Sequence, residues 1–169
     1  PYRDGSFEYY MSEPVIVNDP KGIGAFLLAS YEMEMLPTRS TGMGKTVLLD
    51  RYFNSEKRKD ATGKDVYWHY VWSERSHPGF YTLGWIFEKN GAKLSSLDVA
   101  PTASNLKNAS VYIIVDPDHK RDNPNPNYVT DYDAKVISDW VRAGGTLVLM
   151  ANDSFNCDLE HFNILASKF

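Results

Sequence analysis

Val111-Tyr112-Ile113-Ile114-Val115 is the stretch of this sequence that decides the fold. Its five residues are continuously apolar, a pattern typical of a strand that is covered on both faces of a sheet. Thr146–Met150 repeats the pattern, Thr46–Asp50 is a short buried strand of the same kind, and Lys93–Val99 is a weaker strand. Strands covered on both faces predict a parallel sheet with helices above and below it.

Helical patterns separate these strands. Phe80–Asn90 predicts a helix that Gly91 ends, with inward positions at Leu83, Ile86 and Phe87. A second helix is capped by Thr130, with Asp133 three residues on, and ends at Gly144-Gly145. A further helix starts near Leu159 and reaches Phe169. Alternating strands and helices, with the handedness rule for crossovers, predict a doubly wound, flavodoxin-like α/β fold.

The amino-terminal part has a different pattern. A loop leads to one strong helix, Pro20–Met35, which Asp19 can cap and Pro37 follows. This helix is apolar on more than one side, and such a helix needs several neighbours. No other strong helical pattern lies nearby, so we expect its neighbours in an upstream domain that this chain lacks. We therefore assign 1–36 to the tail of a helical domain, 37–45 to a linker, and 46–169 to an α/β domain.

Both ends of the chain suggest a fragment of a longer protein. The opening residues, Pro1-Tyr2-Arg3-Asp4, include neither an initiator Met nor the basic and apolar regions of a signal peptide. The predicted last helix is followed by no closing strand. We therefore expect the natural amino terminus upstream and a truncation of the α/β domain at its carboxyl end.

Composition narrows the function. The 169 residues include 43% hydrophobic and 24% charged residues, as in soluble globular proteins, and carry a net charge of −4. This charge gives no support to nucleic-acid binding, and no apolar run approaches the roughly 20 residues of a membrane span. The single cysteine, Cys157, excludes an internal disulfide framework.

Two motifs resemble ligand loops but lack essential residues. Gly42-Met43-Gly44-Lys45-Thr46 resembles a phosphate-binding loop, but Arg39 occupies the position of its first glycine, and the motif precedes a strand instead of following one. Asp116-Pro117-Asp118 begins like a calcium loop, yet Lys120 takes a ligand position and Arg121 replaces the required glycine. We interpret the first motif as a linker and the second as a loop whose polar side chains bind its own backbone.

Neither the cysteine nor the histidines predict a catalytic or metal site. Cys157 lacks the small neighbours of a nucleophile turn, and Asp158 beside it raises a thiol pKa, so we expect an inert, buried thiol. The histidines have no metal-ligand spacing, and we predict no metal and no cofactor. They are His69, His77, His119 and His161.

A ligand crevice in a parallel sheet lies beyond the carboxyl ends of the strands. Asp50, Asp116 and Asn152-Asp153 follow strands there, and the insertion 51–79 must lie on the same side. Within it Val66–Trp72 alternates in a way that predicts an extended segment with one aromatic face. That face could hold a sugar or a peptide, or pack against a neighbouring domain, which we favour.

Two stretches resemble a known family. Asp4–Pro14 and Asn18–Phe26 resemble the end of the catalytic domain of unsaturated rhamnogalacturonyl hydrolases, glycoside hydrolase families 88 and 105. The region from Lys45 to Phe169 resembles an accessory domain of some members, similar to the glutamine amidotransferase-like fold. This second likeness rests on His69-Tyr70-Val71-Trp72, Ile114-Val115-Asp116-Pro117-Asp118 and Gly144-Gly145-Thr146-Leu147-Val148-Leu149-Met150.

The resemblance implies an (α/α)6 barrel that removes an unsaturated uronic acid from pectin fragments, in a protein exported to the periplasm or secreted. Its general acid/base is an Asp upstream of the matching tail, so this chain alone is expected to be inactive. Candidate contacts to a pectic oligosaccharide are Ser6, Glu8, Tyr10, Ser12, Glu13, Lys21, His69 and Trp72. The alternatives are a non-catalytic carbohydrate-binding module and a structural domain that stabilises the barrel.

Overall fold

The computed structural model describes residues 6–12, 17, 19–35 and 41–169, and the chain divides into two units, Pro1–Thr38 and Arg39–Phe169. The first unit contains two helices, α1 (Phe7–Ser12) and α2 (Pro20–Met35). The second unit contains the strands β1 (Thr46–Asp50), β2 (Lys57–Lys59), β3 (Asp65–Tyr67), β4 (Lys93–Leu97), β5 (Val111–Val115) and β6 (Thr146–Met150). Its helices are α3 (Tyr81–Lys89), α4 (Ala103–Leu106), α5 (Asp131–Arg142) and α6 (Leu159–Ala166).

In the first unit, α2 has the predicted bounds, but the loop expected before it contains α1. The Ser6 hydroxyl accepts a hydrogen bond from the Tyr9 amide at 3.0 Å and so caps the first turn of α1. Six residues are too few to show a helical period in the sequence. α2 begins at Pro20, where proline fits the first turn because its missing N–H would have no partner in the helix.

The apolar side chains of α2 lie in solvent. Phe26 and Leu28 are each 70% exposed, and Leu27, Tyr31 and Met33 are more than half exposed. Burying such side chains would contribute about 1.5–3 kcal/mol each. Within the described residues of this unit, α2 therefore has no apolar partner of adequate size.

The second unit is an α/β structure built on a four-stranded sheet in the order β4-β1-β5-β6. Every pair of neighbouring strands is parallel. The predicted α/β class and parallel sheet are thus confirmed, and three of the four strands have the predicted bounds. β4 is the exception, because it ends at Leu97 instead of Val99.

Both faces of the sheet are covered, as the apolar strands predict. On one face Leu48, Tyr112 and Ile114 pack against residues of α4, α5 and α6, among them Ile137 and Leu165. On the other face the intervening residues of β1 and β5 form a second cluster, which includes Val47, Leu49, Ile113, Val115 and, from α3, Phe87. Both clusters consist only of residues from 47 to 165.

One inward position in α3 was predicted wrongly, because Ile86 is 46% exposed. The side of α3 that meets the sheet is instead centred on Gly84, which is buried. A Cβ at Gly84 would lie 2.8 Å from Leu94 and 3.0 Å from the Trp72 ring. Trp72 and the strand residue Leu94 approach the helix closely at Gly84, so the smallest residue of α3 faces the sheet.

The insertion between β1 and α3 corrects a second prediction. β2 and β3 form an antiparallel hairpin, but the extended backbone ends at Tyr67. His69 and Tyr70 have φ values of 58° and 46°, in the left-handed region, so the expected extended segment from Val66 to Trp72 turns halfway along. Such a turn disperses the aromatic side chains over several surfaces.

Within the described ranges, no helix has both the length and the apolar character that crossing a membrane requires.

Candidate ligand-binding site

The carboxyl end of β1 is organised by Asp50. Its Oδ2 accepts hydrogen bonds from the backbone amides of Tyr52, Phe53 and Asn54 at 3.2, 2.8 and 3.2 Å. Its Oδ1 accepts one from the Tyr112 hydroxyl at 2.6 Å. Burial raises the pKa of Asp50 to about 7, although these four donors act in the opposite direction. Both oxygens are occupied, so Asp50 shapes the chain after β1 and has no oxygen left for a substrate.

The carboxyl end of β5 is organised by Asp116, which has a φ of 33°. Asp116 Oδ2 accepts a hydrogen bond from the Tyr70 hydroxyl at 2.7 Å, and burial with this bond raises the pKa of Tyr70. Among the described non-glycine residues, left-handed backbone conformations occur at Asp116, at Tyr70 and at its neighbour His69. Such conformations cost of order 1–3 kcal/mol each and concentrate at sites that the surrounding structure holds rigidly.

A cavity of about 420 Å³ opens beside these residues, between the chain that follows β1 and the loop that follows β5. We call it the polar pocket. It is lined by Arg51, Tyr52, Ser55, Glu56, Lys57, Tyr67, Asp98, Asp122, Asn123, Pro124, Asn125 and Asn127. Ligand sites typically measure about 300–1,000 Å³, and the carboxyl edge of a parallel sheet is where they occur.

Most charges in the polar pocket are paired. Arg51 donates to both oxygens of Asp98, at 2.7 and 2.9 Å, and its guanidinium lies 4.4 Å from the centre of the Tyr67 ring. The Lys57 ammonium lies 5.1 Å from the same ring. Among the described residues Lys57 has no carboxylate partner, so its charge remains available to a ligand.

Glu56, on the pocket wall, is oriented by His69. The two side chains meet at 3.0 Å between His69 Nδ1 and Glu56 Oε1, and the His69 ring lies against Trp68 with centroids 3.6 Å apart and the ring planes tilted by 30°. Burial raises the pKa of Glu56, and the hydrogen bond from His69 opposes that shift. His69 was a predicted contact residue; it does not line the pocket but acts on a residue that does.

The other candidate from the insertion, Trp72, lies elsewhere. Its Nε1 donates to the Ser95 carbonyl at 2.8 Å, and its ring packs near Phe80 and Phe87. Trp72 belongs to the cluster between the sheet and α3 and does not line the polar pocket. The aromatic residues of the insertion thus pack mainly within their own unit.

The amino-terminal candidates lie in the other unit. Ser6 caps α1, Ser12 donates to the Tyr9 carbonyl at 2.7 Å, and Glu8 is exposed. Glu13 lies outside the described residues, as do the side chains of Tyr10 and Lys21. The two serine hydroxyls are thus engaged by their own helix.

Cys157 is buried, as predicted. The thiol is 1% exposed, and burial together with Asp116 and Asp158 raises its pKa to about 12. A thiol in this state carries almost no thiolate at neutral pH. Across the described part of the chain, no group of three or more His, Cys, Asp and Glu side chains is arranged to hold a metal ion.

Sequence reasoning missed the residues that form the far wall of the polar pocket. Asn123, Asn125 and Asn127 alternate with prolines in the loop that follows β5. The available signal was their number: three amides follow one strand at the edge where ligands bind. Ser55 gave no comparable signal.

A larger groove of about 730 Å³ lies at the amino ends of β5 and β6. Its lining is mainly apolar and includes Val111, Val136 and Trp140, with Lys45 and Lys107 also present. Sites in parallel sheets lie at the opposite edge, and this groove has few groups that could orient a ligand. The polar pocket is therefore the better candidate despite its smaller volume.

Comparisons with known proteins add no assignment: no protein-family model, no curated protein and no solved structure matches this chain.

Proposed function

We propose that this chain is part of an unsaturated rhamnogalacturonyl hydrolase, and that Arg39–Phe169 is its non-catalytic, carbohydrate-binding accessory domain. The polar pocket is the observation that carries the binding role. Its paired ions and side-chain amides suit sugar hydroxyl groups, which both donate and accept hydrogen bonds. The Tyr67 ring adds an aromatic surface to the same cavity.

Two features support a binding role over catalysis in this unit. Asp50 accepts hydrogen bonds from four donors, and Cys157 is buried with a raised thiol pKa. Catalytic acids and nucleophiles need an oxygen or sulfur directed at the substrate. The residues at the carboxyl edge instead hold the backbone that surrounds the pocket.

The fold proposal is finer than the sheet order alone. If the four parallel strands are numbered 1 to 4 along the chain, their order across the sheet is 2-1-3-4. The flavodoxin-like sheet begins with the same order. We assign the unit to this class and, through the resemblance of its sequence, to the glutamine amidotransferase-like group.

The proposal for 6–35 depends on α2. A helix with exposed Phe26, Leu27 and Leu28 is suited to a position inside a ring of helices, such as the (α/α)6 barrel that the resemblance implies. The barrel supplies the catalytic Asp in this proposal, and the parent protein acts in the periplasm or outside the cell. An assay of the parent protein on unsaturated galacturonyl-rhamnose tests the proposed barrel. Absence of hydrolysis would refute it.

The binding role is tested by calorimetric titration of the chain with rhamnogalacturonan oligosaccharides. We expect millimolar or tighter binding, and Lys57→Gln should weaken it about tenfold, since a hydrogen bond to a charged group contributes roughly 1.5–3 kcal/mol. Lys59→Gln is the matched control, because Lys59 lies on the same strand but pairs with Asp65 and does not line the pocket.

No heat of binding at millimolar oligosaccharide would remove the carbohydrate-binding role. Equal effects of the two lysine substitutions would place the sugar outside the polar pocket.

A further inference from the structure

The turn Asp116–Asp118, which resembles a calcium loop in sequence, joins several parts of the carboxyl edge. Its first amide donates to the Met150 carbonyl at 2.9 Å, and its central carbonyl accepts from the Asp158 amide at 2.9 Å. Its last amide donates to the Phe53 carbonyl at 2.8 Å, and the Asn54 side chain donates to its first carbonyl at 2.8 Å. The chains after β1, β5 and β6 are therefore fixed to one short turn.

Asp118 extends this connection to both walls of the polar pocket. It is 1% exposed, and its Oδ2 accepts from the Ser55 amide at 2.9 Å, the Ser55 hydroxyl at 3.3 Å and Asn123 Nδ2 at 2.9 Å. Asn123 Nδ2 also donates to the Ser55 hydroxyl at 2.9 Å, and Asn123 Oδ1 accepts from the Asn125 amide at 3.0 Å. One buried carboxylate thus links Ser55 on one wall to Asn123 and Asn125 on the other.

We infer that Asp118 is the positioning residue of the polar pocket, which sets the separation of its two walls without lining it. The inference rests on the proposed function for the identity of the ligand. All three donors meet the same oxygen, Oδ2, while Oδ1 is buried without a hydrogen-bond partner among the described residues. One acceptor oxygen therefore holds both walls, and a side-chain amide supplies such an oxygen when its NH2 group takes the position of Oδ1. Ligand affinity, and not stability alone, therefore depends on an acceptor oxygen at position 118.

The first measurement is the affinity of Asp118→Ala for rhamnogalacturonan oligosaccharides. The substitution removes the acceptor shared by donors on both walls, and we expect at least a tenfold loss of affinity. Ile137→Val is the control for a general loss of stability. It shortens a buried side chain of α5 in the apolar cluster, outside the pocket, and its affinity should equal that of the wild type.

The second measurement is rescue by the conservative variant. Asp118→Asn keeps an oxygen in the position of Oδ2, and we expect it to retain most of the affinity that Asp118→Ala loses. Affinity of Asp118→Asn as low as that of Asp118→Ala would overturn the inference, as would affinities that simply follow the stabilities of the two variants.

The third measurement needs no ligand. Hydrogen exchange in the full chain should be faster at the amides of Ser55 and Asn125 in Asp118→Ala and should stay near the wild-type rate in Asp118→Asn. Unchanged exchange at both amides in Asp118→Ala would overturn the inference, as would full affinity of that variant. Failure of the wild type to bind sugar would refute the proposed function alone, while exchange would still decide the role of Asp118.

Discussion

At the scale of single residues, buried acids hold the carboxyl edge of the sheet together. Asp50 accepts hydrogen bonds from three consecutive backbone amides directly after β1. These amides lie outside any strand or helix, so the carboxylate supplies the acceptor that secondary structure does not. The same burial that protects these bonds disfavours the charge. The stability of this edge therefore depends on pH through Asp50.

Asp50 makes stability fall as pH rises. Its folded pKa of about 7 lies above the ordinary value of 3.8, so between these pH values the folded chain binds more protons than the unfolded chain. The stabilising effect is complete below pH 4 and is lost as pH rises toward 7. One such proton corresponds to a slope of at most about 1.4 kcal/mol per pH unit. Urea unfolding of Asp50→Asn at pH 5, 6 and 7 should show a smaller decline than the wild type.

Asp131→Asn is the control for this series, because Asp131 has a side chain that is 88% exposed. It should reproduce the wild-type slope. Parallel curves for the wild type and Asp50→Asn would show that Asp50 titrates alike in the folded and unfolded chains.

At the scale of elements, α5 has a complete amino-terminal cap. The Thr130 hydroxyl accepts a hydrogen bond from the Asp133 amide at 3.2 Å, and Asp133 Oδ2 accepts from the Thr130 amide at 2.9 Å. Thr130 also donates its hydroxyl hydrogen to the same carboxylate at 2.6 Å. These bonds fix the first turn of a helix whose Ala134 and Ile137 are fully buried, so the cap and the core support each other.

Thr130→Ala should lower the free energy of unfolding by about 1 kcal/mol, since it leaves the Asp133 amide without its partner. Thr130→Ser keeps the hydroxyl and should lose less than half of that amount. Chemical unfolding followed by circular dichroism measures both. Equal losses in the two variants would indicate that the methyl group, and not the cap, stabilises α5.

At the scale of the whole molecule, the two units differ in how they bury apolar surface. The α/β unit has two buried clusters formed only by its own residues, whereas α2 leaves most of its large apolar side chains in solvent. A unit with a complete set of internal contacts folds independently, while an exposed apolar helix promotes association.

We therefore expect residues 39–169, expressed alone, to unfold at the same urea concentration as the α/β unit within the full chain. Dye binding to exposed apolar surface and self-association should be much stronger in the full chain than in 39–169. Light scattering and chemical unfolding of the two proteins test this. A clear loss of stability on removal of 1–38 would mean that the first unit contributes to the core of the second.

The sequence predicted those elements whose patterns are local. The strands β1, β5 and β6 were predicted to the residue because continuous apolar runs specify strands covered on both faces, and Thr130 with Asp133 specified the start of α5. The short helices α1 and α4 were missed, since four to six residues carry almost no periodic signal. The orientation of α3 was wrong at Ile86 because side chains from distant parts of the chain determine which side of a helix meets the sheet.

The amino-acid sequence by itself determined the α/β class and the position of the strands β1, β5 and β6, since both follow from neighbours along the chain. Only the tertiary structure decided the candidate site. The polar pocket unites Ser55, Asn123 and Asn125 through Asp118, and the left-handed turns at His69 and Tyr70 carry the expected aromatic face away from it. Hydrogen bonds between residues more than 60 positions apart leave no period or spacing in a sequence, because the folded sheet alone brings them together.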